Sequence, residues 1–220
     1  NRKIYIIEDA QKMNIQAQNA LLKTIEEPPS YVVIILLTTN EEAFLPTIRS
    51  RCVSLKIKPV KTAQIEEYLE KTLSVPKDQA KICAAFAQGN IGKAARLSAS
   101  EDFAQMRTSV VQLLKRLKEI DLYELVSAVK QITEYKLEIM DYFDIMTVWY
   151  RDVLLYKATS DVNQLIFQDE IYEIKKQVST SSYEGLELIM KGIDKAKRRI
   201  EANVNLDLTL EMLLLTIKEN

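Results

Sequence analysis

Four glycines in 220 residues, with only five prolines, set the first limit on this chain. Gly and Pro punctuate tight turns and break helices, so a chain this poor in both folds into long helices with few hairpins. From Ser100 to the end the apolar periodicity is helical almost without interruption. It predicts helices near 100–118, 121–136, 138–158, 167–178, 182–201 and 204–218, with Asp121 and Ser182 as N-caps. The last of these carries Leu206, Leu208, Leu210, Leu213, Leu214 and Ile217, and reads as apolar nearly all round. Such a helix is buried in a bundle or against a partner. Trp149, Tyr150 and Tyr156 fall inside the third helix and read as core.

The first 60 residues have a different grammar. KIYII (residues 3–7) reads as a short buried strand that ends on Glu8 and Asp9. Asn14 then caps a helix to residue 26 whose Ala17, Ala20, Leu21, Thr24 and Ile25 share one face, and Pro28-Pro29 stop it. YVVIILLTT (31–39) is apolar and β-branched, as expected of a central strand buried on both sides. Strand, helix, strand in this space is a βαβ unit, so the two strands should be parallel. That brings Glu8, Asp9, Thr38, Thr39 and Asn40 to one sheet edge, where open α/β sheets place ligand chemistry. VSLKIK (53–58) alternates and predicts a third strand. Three strands and one helix make an incomplete sheet, with something expected upstream of Asn1.

Between these regions lie three short helices. The first spans 62–73, with Thr62 as N-cap and Ile65, Tyr68, Leu69 and Leu73 inward. The second begins at Pro76, runs to about Gln88 and is closed by a left-handed Gly89. The third spans Gly92–Ser98. This unit of about 40 residues is too small to stand easily alone.

Composition removes several function classes. There is no histidine, which excludes Ser-His and Cys-His nucleophilic catalysis and the commonest metal ligand. The two cysteines, Cys52 and Cys83, have no metal-ligand spacing and fit a reduced, cytosolic protein. None of the glycines (Gly89, Gly92, Gly185, Gly192) opens a phosphate loop. Thirty basic residues balance thirty-one acidic ones, so no global field draws the chain to nucleic acid or an anionic membrane. The basic run Lys191, Lys195, Lys197, Arg198 and Arg199 is mixed with acids and lacks interleaved aromatics, so it reads as a solvated face. No leader peptide is visible, and the longest apolar run, Val32–Leu37, is far too short to span a bilayer.

Four segments carry a resemblance: IIEDAQKM, NALLKTIEEPP, LLTTN and LPTIRSRC. Together they resemble the clamp-loader subunits of bacterial DNA polymerase III, members of the AAA+ superfamily. The resemblance covers the whole chain. It implies a mostly α fold with a partial α/β N-terminal region: an incomplete AAA+ parallel sheet (1–59), a small helical lid (60–99) and a C-terminal helical collar (100–220) for oligomerisation. The family's phosphate loop and zinc module would lie upstream. Hydrolysing subunits end the strand in Asp-Glu, where this chain has Glu8-Asp9. They also carry a lid Arg where Lys93 is nearest here. Both departures point to a non-hydrolysing subunit, with Glu8, Asp9, Thr39, Asn40 and Lys93 as a degenerate nucleotide site.

The same resemblance makes Arg51 an arginine finger acting in trans, with Ser50 fixing its turn, Cys52 packing as a small buried residue, and Arg49 a solvent or interface charge. It implies no cofactor in this chain; ATP and Mg²⁺ belong to the neighbouring subunit. The implied partners are other loader subunits, the sliding clamp indirectly, and primed DNA through the assembly, with no membrane. Two rivals remain at this point: an ATP-hydrolysing loader subunit, and a helical adaptor with no ATP-linked role.

Overall fold

The structure is a computed structural model and describes residues 2–220. It divides into two compact units at Lys58–Pro59. The first holds strand β1 (Lys3–Ile7), helix α1 (Ile15–Glu26), strand β2 (Val32–Leu36) and a short helix α2 (Pro46–Arg49). The strands pair in parallel, Lys3 opposite Val32 through Ile7 opposite Leu36, as the βαβ reading requires. Asn14 caps α1, its Oδ1 accepting the Ala17 N–H at 2.8 Å.

Three expectations for this unit are corrected. Neither strand is buried on both sides. The register puts Ile4, Ile6, Val33 and Ile35 on one face, all exposed, because among the described residues no element covers that face. The other face packs through Ile7 and Leu36 against a small core of Ala10, Phe44 and Ile48, joined by Met13, Leu22 and Ile25. The inward face of α1 is therefore Gln18, Leu22 and Ile25, spaced i, i+4, i+7. Ala17, Ala20 and Thr24 point to solvent. Finally, residues 53–58 form no strand: Val53, Leu55 and Ile57 are 88, 81 and 92 % exposed. Alternation specifies which side chains would face a core, but a strand forms only where a neighbour accepts its backbone hydrogen bonds.

The second unit is all helical: α3 (Thr62–Leu73), α4 (Lys77–Phe86), α5 (Ile91–Ala99), α6 (Glu101–Arg116), α7 (Leu122–Thr133), α8 (Ile139–Thr159), α9 (Ile171–Thr180), α10 (Tyr183–Glu201) and α11 (Leu206–Glu219). Local chemistry marks most starts. Asp121 and Glu124 form a reciprocal capping box at α7, and Ser182 accepts the Gly185 N–H at α10. Thr62 is the first helical residue rather than the cap, a role taken by Lys61 without a side-chain bond. Gly89 turns at φ +91°, where a Cβ would lie 2.4 Å from that of Pro59.

One core runs from Ile65 in α3 to Ile217 in α11, so the three short helices and the long ones share an interior. Aromatic edges stitch it: Phe86 meets Phe103 at 5.4 Å and Phe167 at 5.7 Å, and Trp149 meets Phe167 at 5.2 Å. Trp149 and Tyr150 are core, as expected, and Tyr156 is half-buried. The helix expected from 167 starts at Ile171 instead. Phe167 is fully buried, and the buried Asp152 carboxylate accepts the N–H groups of Ile166 and Phe167 at 2.7 and 2.8 Å, which holds that backbone out of a helix. The last helix is buried on one face only: Leu210, Leu213, Leu214 and Ile217 are buried, while Leu208 stays 53 % exposed.

Candidate functional site

Parallel pairing carries β1 and β2 to a common edge. The Leu37 N–H donates to Ile7 O and the Ala10 N–H to Leu37 O, both at 2.9 Å, so Glu8-Asp9 and Thr38–Asn40 are brought together there. Three of these side chains, those of Asp9, Thr38 and Asn40, are engaged locally. Asp9 sits at φ 49°, its carboxylate accepting from Lys12 Nζ at 2.8 Å and Gln11 at 3.3 Å. The Lys12 hydrogen bond, then its charge, holds the Asp9 carboxyl below the usual range. Asn40 caps the 3₁₀ turn Glu41–Ala43, and its N–H donates to Thr38 Oγ1. Glu8 and Thr39 are exposed.

Arg51 lies on the loop leaving α2, its N–H donating to Ile48 O at 3.0 Å. Gln18 builds this loop from below. It is 3 % exposed, donates from Nε2 to Met13 O (3.0 Å) and Ala43 O (3.1 Å), and accepts the Leu45 N–H at 2.8 Å. Pro46 then starts α2, and Ile48 anchors it in the small core. The Ser50 Oγ donates to Thr47 O at 3.2 Å and accepts from Arg51 Nη1 at 3.3 Å. Arg51 Nη1 also donates to Thr47 O at 2.9 Å, and Nη2 lies 2.9 Å from Glu26 Oε1. The Arg51 side chain remains 39 % exposed. Arg49 points elsewhere, 3.8 Å from Glu41.

Cys52 is exposed, contrary to expectation, because the segment after it forms no strand under which to pack. Partial desolvation moves its thiol upward, away from a reactive thiolate.

Comparison with known families resolves what these loops belong to. Residues 1–61 match the model described as DNA polymerase III, delta subunit, and residues 101–219 match DNA polymerase III, delta subunit, C terminal. The chain belongs to the DNA polymerase III delta-subunit family. It is 29 % identical to subunit delta' of Bacillus subtilis, over all of this chain and 67 % of that protein. It is 26 % identical to subunit gamma of Buchnera aphidicola, over 97 % of this chain and 65 % of that protein. The chain thus spans about two thirds of the length of these relatives. A solved gamma-related protein from Thermotoga maritima covers 99 % of this chain and 72 % of its own at 24 % identity, with a TM-score of 0.44, too low to bear on the fold.

In this member of the delta family, Lys93 belongs to the second unit, whereas Glu8, Asp9, Thr39 and Asn40 belong to the first. There α5 and α10 aim cations at two carboxylates of α8. Lys93 lies 3.1 Å from Asp141 and also pairs with Asp144; Arg96 lies 2.6 Å from Asp141 and Lys197 2.6 Å from Asp144. Lys197 is therefore not the solvated charge expected of its basic run. A cavity of about 750 Å³ in the same unit, lined in part by Lys81, Ile82, Arg151 and Ile166, contains none of the candidate site residues Glu8, Asp9, Thr39, Asn40, Ser50, Arg51, Cys52 and Lys93. Among the described residues no cluster of acids and thiols has the form of a metal site, and no helix is long and apolar enough to cross a membrane.

Sequence reasoning missed Gln18, Glu26, Asp141 and Asp144. The signal for Glu26 was available: a carboxylate in the last turn of α1 opposes the helix dipole and calls for a cation.

Proposed function

We propose that this chain is a non-hydrolysing, delta-prime-type subunit of the bacterial clamp loader, and that Arg51 acts in trans on a triphosphate bound by a neighbouring subunit. The observation that carries this reading is Arg51 itself, held half-exposed after α2 within the S-R-C sequence of a DNA polymerase III delta-family chain. Phosphoryl transfer develops charge on the γ-phosphoryl oxygens, and a guanidinium supplies a planar, permanent counter-charge. ATP and Mg²⁺ then sit on the neighbour. The other loader subunits are direct partners, the clamp and primed DNA are reached through the assembly, and the setting is the cytoplasm. The order Glu8-Asp9, reversed from the Asp-Glu of hydrolysing subunits, supports a non-hydrolysing role for this chain.

The test replaces Arg51 by Ala in the full-length subunit of a reconstituted loader. Assembly by gel filtration should be unchanged, and turnover at the ATP site facing Arg51 should fall roughly 10³–10⁵-fold, the scale of a trans arginine finger. Unchanged clamp-stimulated ATPase overturns the reading. The similarity to gamma subunits favours a second reading, ATP hydrolysis by this chain itself. ATP binding and turnover by the isolated full-length subunit would establish it.

A further inference from the structure

The guanidinium of Arg51 is not free. Its two terminal nitrogens are both occupied, Nη1 by Thr47 O and Ser50 Oγ and Nη2 by the Glu26 carboxylate. Recognition of a phosphoryl group by Arg uses this same fork, two parallel N–H donors on two oxygens. An outside anion that takes both terminal nitrogens must displace Glu26 from Nη2. Glu26 is also poorly placed for anything else: it ends α1 beside Glu27, at the negative pole of the helix, just before Pro28-Pro29. Its partner lies 25 positions away in sequence, so the contact is tertiary. Both side chains are about two-fifths exposed. An ion pair this open to water is weak enough to exchange, and an anion can approach it.

We propose that Glu26 is the resting partner of Arg51. It parks the guanidinium on the end of α1 and gives it up when the triphosphate of a neighbouring subunit takes its place. Glu26 is then a positioning residue that sets how readily the finger engages. The inference rests on the reading of Arg51 as an arginine finger and deepens it. The exchange is a swap of one anion for another on a permanent cation; no proton moves and no bond is made or broken.

The experiment uses full-length subunits in the reconstituted loader, assayed for clamp-stimulated ATPase. Glu26→Gln keeps the shape and removes the competing charge. It should raise the rate by about two- to five-fold at low salt, the scale of an exposed ion pair, and the gain should shrink as added salt screens the pair. Glu26→Asp, which keeps the charge, should stay near the parent rate. In an Arg51→Ala background Glu26→Gln should change nothing further. If Arg51→Ala depresses the rate while Glu26→Gln leaves it unchanged or lowers it, the finger stands and the resting-partner proposal is overturned. A gain from Glu26→Gln that persists without Arg51 overturns it as well. If Arg51→Ala itself has no effect, the finger reading fails and this proposal with it.

Discussion

Gln18 is where the loop carrying Arg51 should be most sensitive. Its carboxamide is buried and makes three hydrogen bonds, two of them to the segment 43–45 that leads into α2. Gln18→Ala removes all three and strands the Leu45 N–H and the Met13 and Ala43 carbonyls in a nearly closed space. At about 1 kcal/mol net per bond, and more where a buried group is left unpaired, the loss is about 3 kcal/mol. The first unit offsets little of this, since its core is small. A loss of that size makes local opening about 100-fold more frequent. Amide hydrogen exchange reads it directly: protection at Leu45 should drop about 100-fold, while amides in α8 of the second unit keep theirs. Because Arg51 follows on the same segment, loader ATPase should fall with it. Leu45 protection within about three-fold of the parent protein would refute the account, since the bonds on which it rests would then carry no stability.

Two further outcomes concern the helical unit. Gly89→Ala forces a residue with a Cβ to φ +91° and drives that atom against Pro59, so urea unfolding should show a loss of at least about 2 kcal/mol; a loss under about 0.5 kcal/mol would contradict it. Asp152 gives a pH signature. Burial raises its carboxyl above 3.8, against the opposing pull of the Phe167 and Ile166 N–H groups and Arg151. Between 3.8 and the raised value the folded state therefore binds more protons than the unfolded one, and the stability due to this group is greatest in acid and lost as pH rises through the folded value. The parent protein should gain on Asp152→Asn as pH is lowered from about 7 toward about 4 in paired denaturant titrations; a constant gap would refute the assignment.

The parts of this fold that sequence discloses are those settled within a few residues. Asn14, Asp121 and Ser182 cap helices because each cap bond spans three positions. The parallel pairing of β1 and β2 follows from the length of the helix between them. What sequence did not disclose depends on distant neighbours. Residues 53–58 alternate like a strand yet stand exposed, because pairing is a property of the neighbour and not of the pattern. The start of α9 slipped from 167 to 171 because Asp152, far back in α8, captures two backbone donors.

The candidate site divides along the same line. Arg51 and Ser50 were visible as a motif, and the structure puts them in one hydrogen-bonded turn. Lys93 was also visible, but as an isolated cation; its meaning changes once Asp141 and Asp144 face it from α8. The two cations therefore differ in what an incoming anion must displace. Lys93 is about one-fifth exposed and bonded to two carboxylates, so removing it would leave partly buried charges unpaired. Arg51 is twice as exposed and shares one carboxylate in water. Of Arg51 and Lys93, Arg51 is the one held more loosely, and in the proposal above that looseness depends on Glu26 being near enough to orient the guanidinium and wet enough to release it.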